Sequence, residues 1–238
     1  MTGGSRGLGF AMAKGFAAAG ADLVIASRDL DSCRAAAAEI EKIGRRALPV
    51  ACHVAHWGQC ERLVDEAYAH FGRVDVLVNN AGMSPLAPSS AETSEALYDK
   101  VLGVNLKGPF RLMSLVGPRM VAGAGGSIVN ISSTGSIRPT PNMAPYAAAK
   151  AGLNTLTVAF AHEYGPKVRV NCIMSGPFHT DVSKAWSRSE EFTRHARASF
   201  ALGRAGEPDE IVGAAIYFAS DASSFTTGAV LRVDGGLP

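Results

Sequence analysis

The sequence has no apolar run approaching the ~20 residues a membrane-spanning helix needs. It also lacks an opening pattern of basic residues, apolar core and cleavage site. Both absences point away from a membrane or secreted role and toward a cytoplasmic one. Net charge is small: 23 Lys and Arg against 21 Asp and Glu leave +2. That balance excludes a strong electrostatic pull toward nucleic acid or an anionic bilayer. Cysteine is sparse, and Cys33, Cys52, Cys60 and Cys172 form no disulfide framework, so they read as reduced thiols. There is no repeat period and no low-complexity tail. What remains, 47% hydrophobic and 18% charged over 238 residues, suits one large soluble α/β domain with a sizeable core.

One more thing is scarce: sequence ahead of the first turn. The chain opens Met1-Thr2-Gly3-Gly4-Ser5-Arg6-Gly7-Leu8-Gly9 and runs into an apolar helix over Phe10–Ala19. A glycine-rich turn at a helix N-terminus lets backbone N–H groups approach a phosphate. Such a turn normally follows a strand, and only Met1 precedes it. The expectation is that roughly ten further residues, a strand and its lead-in, stand upstream in the natural chain. The alternative is a truncated chain with a gap in mid-sheet that folds poorly or differently.

The pattern then alternates. Strands are predicted over Asp22–Ser27, Ala47–Val54, Val74–Val78, Gly126–Ser132, Val168–Ile173 and Val230–Val233. Helices are predicted over Ser32–Gly44, Cys60–Phe71, Ser94–Met120, Tyr146–Tyr164 and Pro208–Ser220. Asn105, Gly108 and Pro109 inside the long helix Ser94–Met120 predict a kink. Alternation with short links argues a doubly wound parallel sheet in three α/β/α layers. Phe178–Arg204 departs in composition. It is polar, with Lys184, Arg188, Arg194, Arg197 and Arg204 against Asp181, Glu190 and Glu191, and reads as an inserted loop with short helices.

Candidate chemistry lies at the strand ends. After the second predicted element comes Ser27-Arg28, where a dinucleotide site often places an acid for a ribose 2′-hydroxyl. With Arg6, Arg28 offers two guanidinium groups and favours a 2′-phosphate, hence NADP over NAD. The competing reading makes both surface arginines, with Asp29 or Asp31 as the acid. Cys52, His53, His56 and Cys60 invite a zinc reading, but the spacing fits no standard structural site. The plainer reading packs Cys52 in the core and leaves His53 at a strand's carboxyl edge, where ligands bind. Asn79-Asn80-Ala81-Gly82 offers small residues for close approach to a cofactor. Tyr146 and Lys150 stand at i and i+4, on one helix face. A nearby ammonium is expected to draw the phenol's pKa down from about 10. Ser133 adds a hydroxyl for a substrate oxygen.

Together these motifs resemble the short-chain dehydrogenase/reductase family over the whole chain. They are Thr2-Gly-x-x-x-Gly7-x-Gly9, Asn79-Asn-Ala-Gly82, Asn105, Ser133, Tyr146-x-x-x-Lys150, Gly176-Pro177-x-x-Thr180 and Asp234-Gly-Gly236. The resemblance implies a single Rossmann-like domain of seven parallel strands over 1–238, with a substrate lid at about 178–204. It also implies a catalytic tetrad: Tyr146 as acid–base, Lys150 lowering its pKa and holding the nicotinamide ribose, Ser133 on the substrate oxygen, Asn105 holding a relay water. Implied cofactor contacts are Gly3, Ser5, Arg6, Gly7, Leu8 and Gly9; Ser27 and Arg28; His53 and Val54; Asn80, Ala81 and Gly82; Tyr146 and Lys150; and Gly176, Pro177, Phe178 and Thr180. The implied activity is carbonyl–alcohol interconversion with NADP, NAD being the lesser alternative, and no metal. The nearest subgroup is the 3-oxoacyl-carrier-protein reductases, with sugar, polyol or small-ketone dehydrogenases as the alternative. A non-catalytic dinucleotide sensor is the reading from another class. A homotetramer built on helices Ser94–Met120 and Tyr146–Tyr164 is expected. Two substitutions depart from the family's pattern: His53 for an Asp near adenine, and Ser175 for a Pro, which is expected to loosen the loop after it.

Overall fold

The computed structural model describes residues 1–181 and 183–238. Six parallel strands carry the fold among these residues: β1 (Leu23–Ser27), β2 (Ala47–Ala51), β3 (Val76–Asn79), β4 (Gly126–Ser133), β5 (Val168–Ser175) and β6 (Val230–Val233). β1 pairs with β2, and β3-β4-β5-β6 form a second ladder. The gap expected in mid-sheet is closed at its functional end by Met1–Gly3. Ala26 N–H donates to Met1 O (3.0 Å) and Gly3 N–H to Ala26 O (2.7 Å), while Thr2 N–H donates to Val78 O (3.0 Å) on the other side. Three residues therefore stitch the two ladders, because the backbone groups nearest the glycine turn find partners on both flanks.

Helices α1 (Gly7–Ala18), α2 (Leu30–Lys42) and α8 (Val212–Ala219) cover one face of the sheet. Met12, Phe16, Ile40 and Phe218 meet Ile25, Val129 and Ile173 there. Helices α3 (Trp57–Phe71), α5 (Gly108–Ala122) and α6 (Ala144–Tyr164) cover the other, packing Leu63, Met113 and Leu153 on Ala26, Val50 and Ile128. Both cores span both ladders, which makes the predicted three-layer arrangement one body.

The predicted kink is a turn of π-helix. α4 (Glu95–Leu102) passes through Gly103–Lys107 into α5, and Gly108 N–H reaches back five residues to Gly103 O. Pro109 has no N–H to give the Asn105 carbonyl four residues before it. β2 ends earlier than predicted, since His56 N–H bonds His53 O (2.9 Å) and turns the chain. Among its described residues the 178–204 segment contains one helix, α7 (Glu190–Ser199), capped by Ser189 Oγ, which accepts from Phe192 N–H at 3.1 Å.

Candidate active site

The glycine turn is held from behind by β3. Thr2 Oγ1 accepts from both Asn80 N–H and Ala81 N–H at 3.1 Å. Asn80 Nδ2 donates to Thr2 O (3.1 Å) and Gly3 O (3.0 Å). A Cβ on Gly3 would sit 2.8 Å from Asn80 Nδ2, and Gly3 adopts φ +62°; a side chain on Gly9 would run into the Gly3 carbonyl. Only glycine permits this approach. No side chain caps α1 at Arg6, so its first N–H groups keep the free donors and positive potential that suit a pyrophosphate. The turn fits a dinucleotide on these grounds. The side chains of Val54 and Phe178 are buried in the cores, and that of Leu8 is half-buried against them.

At the β1 end, Ser5 Oγ donates to Ser27 Oγ (3.1 Å) and ties the turn to the strand. Arg6 and Arg28 are exposed. Both candidate acids have other work. Asp29 caps α2, accepting from Asp31 N–H (3.0 Å) and Ser32 Oγ (2.7 Å), and these bonds hold its carboxyl below the ordinary range. Asp31 pairs with Arg34 at 3.0 Å. Cys52 is buried, as expected. His53 Nδ1 accepts from Ala55 N–H at 3.3 Å.

The four catalytic candidates converge at the carboxyl edge of β3 and β4. Ser133 ends β4, and a Cβ on Gly135 would lie 3.5 Å from Ser133 Oγ and 3.6 Å from Tyr146 Cε1. Pro145 stands in the first turn of α6, where its missing N–H costs nothing, and delivers Tyr146 beside Ser133. Lys150 follows one turn later, 4% exposed, with Nζ donating to Ile131 O at 2.8 Å. That Nζ is 5.8 Å from the Tyr146 ring centre. A Cβ on Gly82 would lie 3.1 Å from Asn105 Oδ1 and 3.6 Å from Lys150 Nζ.

One expectation changes here. Burial raises the Tyr146 phenol above its ordinary value, with the Ser133 hydroxyl acting against it. Lys150 does not draw it down, because its ammonium is turned to the Ile131 carbonyl and burial lowers its own pKa to about 8. The Asn105 side chain is held in place: Nδ2 donates to Met83 O (2.8 Å) and Val101 O (2.9 Å), and Oδ1 accepts from Met83 N–H (3.2 Å). Pro109 deprives the Asn105 backbone carbonyl of its helical donor, which suits that carbonyl to a relay water.

Beyond β5, Ser175 Oγ donates to Ser132 O (3.1 Å). The serine thus fastens the start of the Gly176–Thr180 turn instead of loosening it. A Cβ on Gly176 would meet Asp234 Cα at 2.6 Å. Thr180 N–H donates to Ser183 Oγ (2.9 Å). A cleft of about 690 Å³ opens beside Gly7 and Thr180, under the first residues of the 178–204 segment. Sequence reasoning missed two positioning groups. Thr2 is one. The other is a buried chain in which Asn79 Nδ2 donates to Asn130 Oδ1 (2.9 Å) and Asn130 Nδ2 to Thr157 Oγ1 (2.9 Å), locking α6 to β3 and β4. Thr2 stood in the glycine motif; Asn130 and Thr157 carry no motif signal.

A family profile described as "Enoyl-(Acyl carrier protein) reductase" matches residues 3–238. The 3-oxoacyl-[acyl-carrier-protein] reductase FabG of Chlamydia trachomatis is 38% identical over 100% of this chain and 95% of its own. A short-chain type dehydrogenase/reductase from Mycobacterium marinum superimposes with TM-score 0.92 at 30% identity, covering 99% of this chain and 93% of that one. A gluconate 5-dehydrogenase from Burkholderia cenocepacia, solved with NADP and tartrate, gives TM-score 0.94 at 35% identity, covering 99% and 92%. Likeness of this extent, running through the glycine turn and every strand end just described, makes the chain a member of the short-chain dehydrogenase/reductase family of oxidoreductases.

Proposed function

We propose that the protein interconverts a carbonyl and a secondary alcohol with NADP(H), as a single domain over 1–238. The observation that carries this reading is the convergence of Ser133, Tyr146, Lys150 and Asn105 beside Gly82, next to a glycine turn free to take a pyrophosphate. A bound nicotinamide cofactor would supply or take up the hydride. Ser133 Oγ donates to the substrate oxygen. The Tyr146 hydroxyl, kept protonated by burial, gives its proton to the developing alkoxide. Lys150 and the Asn105 carbonyl supply the route by which that proton is replaced. Gly3, Gly7 and Gly9, with Ser5, Arg6 and Leu8 backbone, would hold the pyrophosphate, and Asn80–Gly82 and Gly176–Thr180 would hold the nicotinamide side.

NADP is favoured over NAD because Arg6 and Arg28 make no ion pair among the described residues, while Asp29 and Asp31 are committed within α2. The likeness to FabG supports a 3-oxoacyl thioester as substrate. Sugar acids are the second reading, favoured by the likeness to a gluconate 5-dehydrogenase and by Arg188, Arg194 and Arg197, which outnumber Glu190 where they cluster on the 178–204 segment, which we assign as the lid. Cytoplasmic location fits the described residues, among which no helix is long and apolar enough to cross a membrane. A homotetramer fits exposed Tyr98, Phe110 and Val158 on α4, α5 and α6.

Tyr146→Phe tests the reading. Turnover should fall by at least about 100-fold, while NADPH affinity by titration calorimetry stays within twofold. The assay is NADPH oxidation across 3-oxoacyl thioesters, keto sugar acids and small ketones. Unchanged turnover in Tyr146→Phe would refute the acid–base role, and tight NADPH binding without turnover of any carbonyl would favour a sensor. Arg28→Ala should weaken NADPH and spare NADH; equal loss of both would remove Arg28 from the 2′-phosphate.

A further inference from the structure

His53 stands where an acid was expected, and its surroundings fix what it offers a ligand. β1 and β2 are paired with Ser27 opposite Ala51, and Cys52 N–H donates to Ser27 O at 2.8 Å. Arg28 and His53 are thereby set on neighbouring strand ends, at the carboxyl edge of the sheet, with paired strands about 4.8 Å apart. The loop behind His53 is tied down: its own N–H donates to Gln59 Oε1 (2.8 Å), and Nδ1 accepts from Ala55 N–H (3.3 Å). The His56 ring packs edge-on at 4.7 Å. Burial lowers the imidazole pKa, and His56, Arg28 and Lys100 lower it further. The ring is therefore neutral at pH 7, with its lone pair on Nδ1 and its proton on Nε2. A carboxylate here would accept hydrogen bonds; this imidazole presents a donor.

We propose that His53 is a specificity-determining residue of the cofactor site, its Nε2–H donating to the adenosine 2′-phosphate that Arg28 also holds. The proposal rests on the NADP reading above and deepens it. In a doubly wound sheet the ribose 2′ position lies at the end of the strand after the glycine turn, beside Arg28. A donor one strand over matches phosphate oxygens, which carry only acceptors and bring the charge that strengthens such a bond. It does not match the exocyclic amino group of adenine, which is itself a donor.

The test compares four probes by titration calorimetry: adenosine 2′,5′-bisphosphate, 5′-AMP, NADPH and NADH. His53→Asp is the chosen variant because a carboxylate still accepts from Ala55 N–H and preserves the turn, which an unchanged melting temperature checks. It should weaken adenosine 2′,5′-bisphosphate and NADPH by at least about tenfold, leaving 5′-AMP and NADH within twofold. Equal weakening of all four would mean that His53 reads the adenine ring and would overturn the proposal. No weakening would overturn it too. If His53→Asp does not fold, the wild-type protein still decides. The His53 Nε2–H NMR signal should move on adding adenosine 2′,5′-bisphosphate and stay put with 5′-AMP, and any other pattern counts against the proposal. Should wild-type protein prefer 5′-AMP and NADH, the NADP reading itself falls. Should it prefer the 2′-phosphate probes and lose that preference in Arg28→Ala but not in His53→Asp, only the role of His53 falls.

Discussion

Lys150 is a cation stored almost without water, 4% exposed and bonded to the Ile131 carbonyl. Its pKa of about 8 in the folded protein compares with about 10.4 in an unfolded chain. Below pH 8 both states are protonated and the full burial penalty stands, about 3 kcal/mol. Between pH 8 and 10.4 the unfolded chain holds more protons, so this penalty fades as pH rises. Lys150→Met should therefore be more stable than wild type at pH 7, with the difference shrinking toward pH 10 in urea denaturation, while turnover is lost. A constant difference across that range would show that Lys150 is not held in this way. Tyr146 has its own pH signature. Burial raises its phenol, so the proton needed for carbonyl reduction is present throughout neutral pH, whereas alcohol oxidation needs the phenolate. The oxidation rate should climb into the alkaline range while the reduction rate is flat near neutrality and then declines; parallel profiles would contradict the assignment. The i, i+4 spacing of Tyr146 and Lys150 was legible in the sequence. The ammonium's turn toward Ile131 was not, because a long flexible side chain chooses among carbonyls that only the folded β4 supplies.

At the scale of elements, the π turn over Gly103–Lys107 places the Asn105 carbonyl. Its cause was readable in Gly108-Pro109, since proline lacks the N–H that the fourth residue back requires. Its fit was not readable. A Cβ on Gly103 would lie 3.1 Å from Ala55 Cβ, and one on Gly108 would lie 2.7 Å from Val54 O. The turn is thus pressed onto the loop that also carries His53. Gly108→Ala should cost about 1–3 kcal/mol by overpacking and should lower kcat more than it raises KM, because the displaced turn carries Asn105 and not the substrate contacts. Denaturant midpoints and steady-state kinetics check both parts, and a variant as stable and active as wild type would remove the close approach from the argument. Ser175 belongs to the same scale. A family habit of proline suggested that serine would loosen the chain, but register pairs Ser175 with Ser133, and its hydroxyl fastens β5 to β4.

For the whole molecule, alternating apolar strands and amphipathic helices made the layered sheet legible, because period and punctuation are local properties. The joint between the ladders was not. It depends on Met1–Gly3 finding partners on β1 and β3 at once, and on Thr2 Oγ1 serving two N–H groups of Asn80 and Ala81. That joint has few hydrogen bonds, so cohesion rests on the cores. Ile25 of β1 shares one core with Val78, Val129 and Ile173. Ala26 and Val50 share the other with Leu77, Ile128 and Val170. Neither ladder buries its faces without the helices that also cover its neighbour. Unfolding should therefore be one cooperative transition, seen at the same denaturant concentration by far-ultraviolet circular dichroism and by tryptophan fluorescence. Thr2→Val keeps the shape but strands two N–H donors, which should cost about 1–3 kcal/mol and weaken cofactor binding through the glycine turn that Asn80 braces. The cost should appear as a lower midpoint with the transition still single, and hydrogen exchange should rise together in β1 and β3. Separate melting of the β1–β2 pair in the variant alone would show that the joint and not the shared cores holds the sheet together, and in wild type it would show that the shared cores do not couple the ladders.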